Sequence, residues 1–413
     1  MKDSNTPALI FGSGLTALGV LRSLGRLGLP TYSVCESGDL ATKSRWYRPA
    51  PEFQDRMPVP AELAAYLETL RFQKVVLIPC SDHWTRAIAQ LPTHLRDRYP
   101  ASIASAATVD IMTDKWRFAE MLERENLPRP KTIALHSYEE LSGLPESSFE
   151  NMFLKPLDSQ KFSQLMGTKA FQLESRNHAL AIMAEVERSG KDGFPILLQE
   201  FIPGPAGSYF LVDGFVDRHG QTLGLIARRR HRMYPAPFGN STLSETIRLD
   251  QVQGAIDTLE RIWSATRYCG VFDAEFKYDE RDGQFKIVEI NARPWWFVEF
   301  ATRCGVNLCQ MSYRDALGLP VEPIRTYPAG RRCFYMLYDF AAHRSLEPGL
   351  RGYCRWVRSV KGCDEIIYRW NDPGPALFLA VRTARKQVNK ILSDIYWHLH
   401  IAAAASAPHT RTL

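Results

Sequence analysis

The strongest chemical signal is a row of polar side chains along an apolar segment, KIVEINARPW (286–295). The β-branched residues of this segment predict a buried strand. Side chains two positions apart leave a strand on the same face, so Glu289, Asn291 and Arg293 should point the same way. Carboxylate and carboxamide oxygens suit a hard cation such as Mg²⁺, and a guanidinium suits a phosphate. The row therefore predicts a surface that binds a metal ion and phosphate.

A second acidic strand, VFDAEFKYD (271–279), should pair with the first, because Asp282–Gly283 between them is a strong hairpin-turn signal. Glu275 can then face Glu289 and Asn291. These side chains would form an oxygen-only site that suits Mg²⁺ bridging substrate phosphates. A solvent-facing hairpin with ordinary polar residues is the alternative, although the aromatic residues that follow favour burial.

Two lysines stand near segments that could reach a phosphate. Lys155 follows apolar residues in FLKP, which is unusual for a free surface lysine, and Lys115 opens a predicted helix after Asp114. Either lysine alone is more often a solvated charge. The hydroxyl-rich segment 158–171 is typical of a hairpin loop whose hydroxyl and N–H groups cover phosphates, but it lacks the P-loop spacing.

The end of a predicted strand in LLQEFIPG (197–204) could form a linker that hydrogen-bonds the edge of an adenine. A plain exit from a strand into a turn is an equal alternative. The candidates, called the hinge residues below, are Gln199, Glu200, Phe201 and Ile202.

The basic run 227–246 is a candidate wall for a substrate carboxylate. In a strand, Arg228 and Arg230 share one face, while Arg229 and His231 take the other. One face could bind a carboxylate through two parallel hydrogen bonds. Solvated charge on an edge strand is the alternative.

The N-terminal segment FGSGLTALG is also compatible with nucleotide binding. Gly12, Gly14 and Ala17 fit G-x-G-x-x-A, and Glu36 follows at a suitable distance for an NAD fingerprint. The alternative is a glycine turn that lets any anionic ligand approach a helix N-terminus.

Strand and helix alternate up to about residue 108, which predicts a parallel, doubly wound α/β sheet there. The middle of the chain, about 109–325, has the pattern of an α+β unit with largely antiparallel sheets. Its strands are predicted at 151–156, 195–202, 208–217, 222–230, 271–279 and 285–291, with helices at 114–130, about 175–189 and about 250–267. The remainder, 326–413, is a C-terminal extension that ends in an amphipathic helix near 376–400.

That last helix carries one apolar stripe, with basic residues beside it. A packing or dimer helix is one interpretation, and a helix that lies on a membrane surface is the other. The stripe consists of Leu377, Val381, Ala384, Val388, Ile391, Ile395 and Leu399, and the basic residues are Arg382, Arg385, Lys386 and Lys390.

Composition narrows the class of protein. The 413 residues are 45% hydrophobic and 23% charged, as in ordinary globular proteins. A net charge of +6 is too weak to indicate nucleic-acid binding by itself, but it is compatible with an anionic small substrate. The eight cysteines form no CxxC pair, so we expect reduced thiols in a cytoplasmic protein. The N-terminus lacks a signal-peptide layout, and no apolar stretch is long enough to predict a transmembrane helix.

The order of these motifs resembles the ATP-grasp superfamily. Asp114–Lys115, FLKP, the hydroxyl-rich loop, QEFIPG, DAEF and VEINARP follow one another as in that superfamily over roughly residues 110–320. The N-terminal unit, 1–108, is similar to the domain that precedes the ATP-grasp fold in its carboxylate–amine ligase branch, which includes D-aspartate ligase-like enzymes. The resemblance implies an ATP-grasp domain at 109–325, with subdomains of about 114–200 and 201–325.

The resemblance also implies roles for the nucleotide-binding residues. Lys115 and Lys155 would contact the ATP phosphates, and Ser163, Gly167 and Lys169 would belong to a lid over them. The hinge residues would meet the adenine. The lid loop has fewer glycines than in many relatives.

The metal and substrate roles follow in the same way. Glu275, Glu289 and Asn291 would bind two Mg²⁺ ions, with Mn²⁺ as a substitute, and Arg293 would steady a phosphate or acyl phosphate. Ser208 and Tyr209 stand where relatives often carry acidic residues that hold the ribose hydroxyls, which leaves the ribose contacts unassigned. The candidates for substrate contact are Gly12, Ser13, Gly14, Asp82, Arg228, Arg230, Asn240 and Arg303, and Arg228 joins Lys155 and Arg293 as a catalytic candidate.

The resemblance predicts an ATP-dependent ligase that activates a carboxylate as an acyl phosphate and joins it to an amine. Its partners would be the two small molecules and, in one interpretation, a second copy of the chain, with no nucleic acid. The alternatives are an NAD-dependent oxidoreductase that uses the glycine-rich turn, and a non-catalytic nucleotide-binding regulator of ATP-grasp fold.

Overall fold

The computed structural model describes residues 6–51, 59–156, 170–188, 195–236, 239–386 and 388–389. The strands are β1 (Ala8–Phe11), β2 (Thr31–Val34), β3 (Val76–Pro79), β4 (Thr132–Leu135), β5 (Met152–Pro156), β6 (Phe171–Gln172), β7 (Ile196–Glu200), β8 (Tyr209–Val216), β9 (Thr222–Tyr234), β10 (Asn240–Ile247), β11 (Gly270–Asp279), β12 (Gln284–Asn291), β13 (Arg332–Phe334) and β14 (Asp364–Glu365).

The helices alternate with these strands in the first half of the chain and cluster in the last third. They are α1 (Gly14–Gly25), α2 (Leu63–Thr69), α3 (Asp82–Ala89), α4 (Thr93–Arg96), α5 (Ala106–Thr113), α6 (Lys115–Arg124), α7 (Tyr138–Gly143), α8 (Arg176–Arg188), α9 (Gln253–Thr266), α10 (Val298–Arg303), α11 (Leu308–Ala316), α12 (Met336–Leu346) and α13 (Leu350–Val360).

The N-terminal unit is built on a parallel sheet in the order β2-β1-β3. β1, ALIF, is buried along its whole length, as its apolar composition predicts. The predicted parallel sheet is therefore present, while its description as doubly wound and its boundary at residue 108 stay predictions.

Two antiparallel sheets follow in the middle of the chain. The smaller has the order β4-β7-β5-β6, and α7 and α8 supply apolar residues to its core. The larger has the order β12-β11-β8-β9-β10-β13-β14 and is antiparallel except where β13 meets β14. The prediction of largely antiparallel sheets is thus correct. The strands β4, β6, β10, β13 and β14 were not predicted from the sequence, because they are short or rich in polar residues.

The two faces of the larger sheet differ in chemistry. One face packs against α9 in a core that contains Phe272, Ala274 and Phe276 of β11. The residues between them on β11 point to the opposite face, which we call the charged face. Its charged side chains on β9, β11 and β12 include Arg228, Arg230, Asp273, Glu275, Lys277, Asp279, Lys286 and Glu289.

The C-terminal extension is fastened to the N-terminal unit by a fully buried arginine on α1. Arg22 donates to Asp372 Oδ2 at 2.9 Å and to Glu299 Oε2 at 3.1 Å. It also donates to the backbone oxygens of Ile366 at 3.1 Å and Ile367 at 2.7 Å. Every direction of its guanidinium fork is therefore occupied by another part of the chain.

The predicted C-terminal helix begins at residue 374 and is continuous to 386, and residue 387 and the part from 390 lie outside the described residues. Leu377, Val381 and Val388 of the apolar stripe are exposed, so these three residues are not buried by any described part of the chain. Ile391, Ile395 and Leu399 lie outside the described residues, and the dimer and membrane-surface interpretations stay predictions. In the described part of the chain, no helix is long and apolar enough to span a membrane.

Candidate active site

A cleft between the smaller sheet and the β11–β12 hairpin brings together residues predicted for three different roles. Lys115 and Lys155 were predicted for phosphates, Gln199 for adenine and Glu289 for metal, and all four line this cleft. The other lining residues are Met112, Phe118, Ala119, Leu122, Arg129, Pro130, Thr132, Leu197, Ile287, Val288 and Ile290. Arg129 is a cation that the sequence analysis did not single out.

Local capping explains where Lys115 lies. The Asp114 carboxylate accepts hydrogen bonds from the N–H groups of Trp116 at 2.8 Å and Arg117 at 3.1 Å, so α6 begins at Lys115. Lys155 pairs with Leu197 in the ladder between β5 and β7. A helix start and an interior pair of strands therefore hold the two lysines at one cleft.

The acidic hairpin forms as predicted, with Gly283 at φ +71° in its turn. In its register Glu275 is opposite Glu289, and Asp273 is opposite Asn291. The pairing shifts by one residue between Glu275 and Phe276, so β12 has a bulge there. Glu275 and Glu289 consequently lie on the same face of the hairpin.

The donor chemistry of this site fits Mg²⁺, since two opposed carboxylates and a carboxamide are all oxygen ligands. Glu289 is exposed to the cleft. The Asn291 carboxamide accepts from Arg293 at 3.1 Å and donates to Asp273 at 3.0 Å. Among the described residues, no group of three or more His, Cys, Asp or Glu is placed to hold a metal ion, so Asn291 or a substrate oxygen would have to complete the set.

Arg293 joins this hairpin to the N-terminal unit. Its Nε donates to Asp82 Oδ1 at 2.8 Å, and its Nη2 lies 3.4 Å from Asp82 Oδ2. Its Nη1 donates to the Pro294 carbonyl at 3.1 Å. Two residues predicted separately for catalysis and substrate contact therefore form one ion pair, and one N–H of Nη1 is left for a ligand.

The prediction that Arg228 binds a substrate carboxylate is corrected by its surroundings. Arg228 is buried, and its Nε and Nη2 donate to the Asp213 carboxylate at 2.5 and 3.0 Å. Its Nη2 also donates to Asp273 at 3.3 Å, and its guanidinium lies over the rings of Trp295 and Phe297. The chain itself supplies the carboxylate that was expected from a substrate.

Arg230 shares the buried face, and Arg229 takes the exposed one, as the alternation predicted. The Arg230 Nε donates to Ser241 Oγ at 2.7 Å, and the Arg230 Nη2 donates to Glu275 Oε2 at 2.6 Å. β9 lies between β8 and β10, so the alternative of a solvated edge strand is wrong. Arg230 is placed to hold a metal-site carboxylate, which differs from the predicted contact with a substrate.

The hinge residues Gln199 and Glu200 differ in how far their side chains are already hydrogen-bonded within the chain. The Glu200 carboxylate accepts from the Lys131 N–H at 3.0 Å and from Arg281, and although burial alone would raise its pKa, these bonds lower it. Gln199 donates through Nε2 to Thr132 Oγ1 at 3.0 Å, and its buried Oε1 has no partner among the described residues. Gln199 thus offers an acceptor to a ligand, whereas the Glu200 side chain is already engaged.

The glycine-rich turn does not offer a free helix N-terminus. The Gly14 N–H lies 3.0 Å from both carboxylate oxygens of Asp39. At Gly12 an added Cβ would lie 2.8 Å from the Cβ of Cys80, and φ is +131°, so a glycine is required by close approach and backbone shape. An internal carboxylate therefore occupies the position proposed for an anionic ligand at Gly14, while Ser13 between the two glycines is exposed.

Two further predicted residues, Arg303 and Asn240, do not line the cleft. Arg303 forms an ion pair with Asp364 of the C-terminal extension, which corrects its assignment to a substrate pocket. Asn240 is the first residue of β10, which pairs with β9. The predicted lid residues Ser163, Gly167 and Lys169 lie outside the described residues.

Sequence reasoning missed two residues of the charged face. Asp273 bridges Arg228 and Asn291, and burial beside Asp213 raises its pKa. Lys277 is almost fully buried, and burial with the neighbouring Arg230 lowers its pKa to about 8. Strand alternation from Glu275 could have found both of them.

The fold is similar to that of ATP-grasp carboxylate–amine ligases of known structure. An L-amino acid ligase from Bacillus licheniformis superposes with a TM-score of 0.55 at 16% identity, covering 78% of this chain and 76% of the other. The ADP complex of N5-carboxyaminoimidazole ribonucleotide synthetase gives a TM-score of 0.59 at 13% identity, covering 79% and 80%.

In sequence, the chain is 26% identical to D-aspartate ligase from Enterococcus faecium over 323 residues, which span 74% of this chain and 76% of that enzyme. No family model matches the chain. The similarities confirm the predicted resemblance to ATP-grasp ligases, and the oxidoreductase alternative is not favoured.

Proposed function

We propose that this protein is an ATP-dependent ligase that activates a carboxylate as an acyl phosphate and joins it to an amine. The observation that carries the proposal is the cleft in which two lysines, a hinge carboxamide and the exposed Glu289 converge. A nucleotide needs such groups: a carboxamide for its base, lysines for its phosphates and a carboxylate for the metal ion bound to them. The similarity to a D-aspartate ligase supports the same reaction class.

The adenine would lie against the hinge, where the unbonded Gln199 Oε1 can accept from its amino group. Lys115 and Lys155 would offset the charge of the phosphates. When bound, Mg²⁺ would neutralise the phosphoryl group in transfer, held by Glu275, Glu289 and Asn291. Two ions, with Mn²⁺ as a substitute, remain the proposal for this site, and a related structure that was solved with MgADP supports the cofactor.

The covalent steps need no protein nucleophile. A carboxylate oxygen of the substrate attacks the γ-phosphorus and ADP leaves; the amine nitrogen then attacks the acyl carbon and inorganic phosphate leaves. Arg293, fixed by Asp82, would present its remaining N–H to the acyl phosphate. The substrates would be small molecules that enter between the N-terminal unit and the charged face, and we propose a cytoplasmic site of action.

The first expected result is stabilisation by ATP. Because ligand binds only the folded state, ATP with Mg²⁺ at 100 times its dissociation constant should add about 2.7 kcal/mol to the free energy of unfolding. A thermal-shift titration measures this, with NAD(H) as the matched control. A shift with NAD(H) but none with ATP would contradict the assignment.

The second expected result concerns the products. In a screen of amino acids and small acids, an accepted pair of substrates should yield ADP, phosphate and amide in equal amounts. Hydroxylamine in place of the amine should trap the activated acid as a hydroxamate. Formation of AMP and pyrophosphate would instead indicate an adenylate intermediate and exclude the acyl phosphate.

A further inference from the structure

A buried lysine of the acidic hairpin lies on the charged face, beside the hinge. Lys277 is in β11, two residues after Glu275, and their side chains leave the strand on the same face. It is 3% exposed. Its Nζ lies 4.7 Å from the ring centroid of Phe201 in the hinge and 4.6 Å from that of Tyr209 in β8.

The two nearest carboxylates on its strand are engaged by other cations. Glu275 is held by Arg230 at 2.6 Å. Asp279 is held by Arg281 and by Lys286, each at 2.6 Å. Lys277 itself makes no hydrogen bond or ion pair with any residue in the described part of the chain.

Such an arrangement is costly for the protein alone. Removing an ammonium from water is unfavourable unless a counter-charge and hydrogen bonds replace its hydration. The faces of Phe201 and Tyr209 attract a cation but accept no strong hydrogen bond. The charge of Lys277 is therefore only partly offset until an anion binds.

The position of Lys277 identifies that anion, given the proposed function. Phe201 is one of the hinge residues proposed to meet the adenine, and Glu275 belongs to the proposed metal site, so Lys277 lies between these two groups of residues. Between its base and its metal-bound phosphates, ATP has only the ribose and the α-phosphate, and of these only the α-phosphate is anionic. We propose that Lys277 binds the α-phosphate of the nucleotide.

Lys277→Met tests this assignment, because it keeps the length and apolar stem of the side chain and removes only the charged head. Loss of a hydrogen bond to a charged group should raise the Kd of ADP and of AMP by about 10- to 100-fold. The Kd of adenosine, which lacks the phosphate, should be unchanged. Equilibrium dialysis with each ligand in Mg²⁺ buffer measures the three values.

A second readout separates ligand binding from a structural role. The unliganded Lys277→Met protein should melt at a higher temperature than the wild type, because a buried charge that is only partly offset has been removed. The matched control is Lys286→Met, opposite Lys277 in the hairpin, whose ammonium is 2.6 Å from Asp279. That control should melt at a lower temperature and bind ADP as the wild type does.

The outcomes are distinguishable from a failure of the proposed function. If the wild type binds neither ATP nor ADP, the nucleotide site itself is wrong. If the wild type and Lys277→Met bind ADP equally well, only the role of Lys277 is overturned. Lys277→Gln replaces Lys277→Met in this comparison if the Met variant folds poorly. Equal weakening of adenosine and ADP would place Lys277 against the base or ribose and overturn the phosphate contact.

Discussion

Replacing Glu289 by Gln should lower turnover by on the order of 10³-fold or more while the fold survives. The change keeps the size of the side chain but removes one charge from a site proposed to hold Mg²⁺ against ATP. The side chain is exposed to the cleft, and its neighbour Ile290 keeps its buried position, so the strand has no reason to unfold. Steady-state phosphate release measures the rate, and circular dichroism checks the fold.

The control for this substitution is Glu280→Gln in the same hairpin. Glu280 is exposed in the turn and lies outside the cleft, so its loss of charge should leave turnover within about twofold. Raising the Mg²⁺ concentration should recover part of the activity lost in Glu289→Gln. It should leave the turnover of the Glu280→Gln control unchanged. Normal turnover of Glu289→Gln would mean that the hairpin holds no essential metal ion.

Replacing Arg228 by Met should lower the free energy of unfolding by about 3–5 kcal/mol. The arginine lies between Asp213 and Asp273, both buried, and its removal leaves two carboxylates without their counter-charge. Urea denaturation followed by tryptophan fluorescence measures the loss.

Arg229→Met is the matched control, because Arg229 is the next residue on the same strand but is exposed. Its Nε donates to the Gly207 carbonyl at 2.7 Å, and removing one exposed contact should cost about 1 kcal/mol or less. If Arg228→Met were as stable as the wild type and changed only the KM of the acid, the substrate role first predicted for Arg228 would be restored.

Much of the fold follows from local patterns in the sequence. Apolar runs and their spacing predict the strands of both antiparallel sheets, since burial of one face imposes a period of two. The Asp282–Gly283 turn predicts the hairpin that carries Glu275 and Glu289, because its backbone shape suits a tight connection. The order of motifs was sufficient to indicate the ATP-grasp superfamily.

Charge pairing was decided by tertiary structure, because it depends on which strands become neighbours. Arg228 looks like a ligand-binding residue in the sequence, yet β8 places Asp213 beside it. Gly14 looks like an anion site in the sequence, yet its N–H donates to the Asp39 carboxylate. Lys277 looks like an ordinary surface lysine, yet strands on both sides bury it.

The acidic site shows most clearly what the sequence determined and what the tertiary structure determined. Counting back from the turn without interruption would pair Glu275 with Val288 and send Glu289 to the apolar face, since one step in register exchanges the faces of a strand. The structure inserts a bulge at this point, so Ile287 and Ile290, three residues apart, are both buried, and Glu289 is opposite Glu275. The sequence by itself determined which residues were available for a metal site. Only packing against α9, which buries both isoleucines, determined that the two carboxylates share a face.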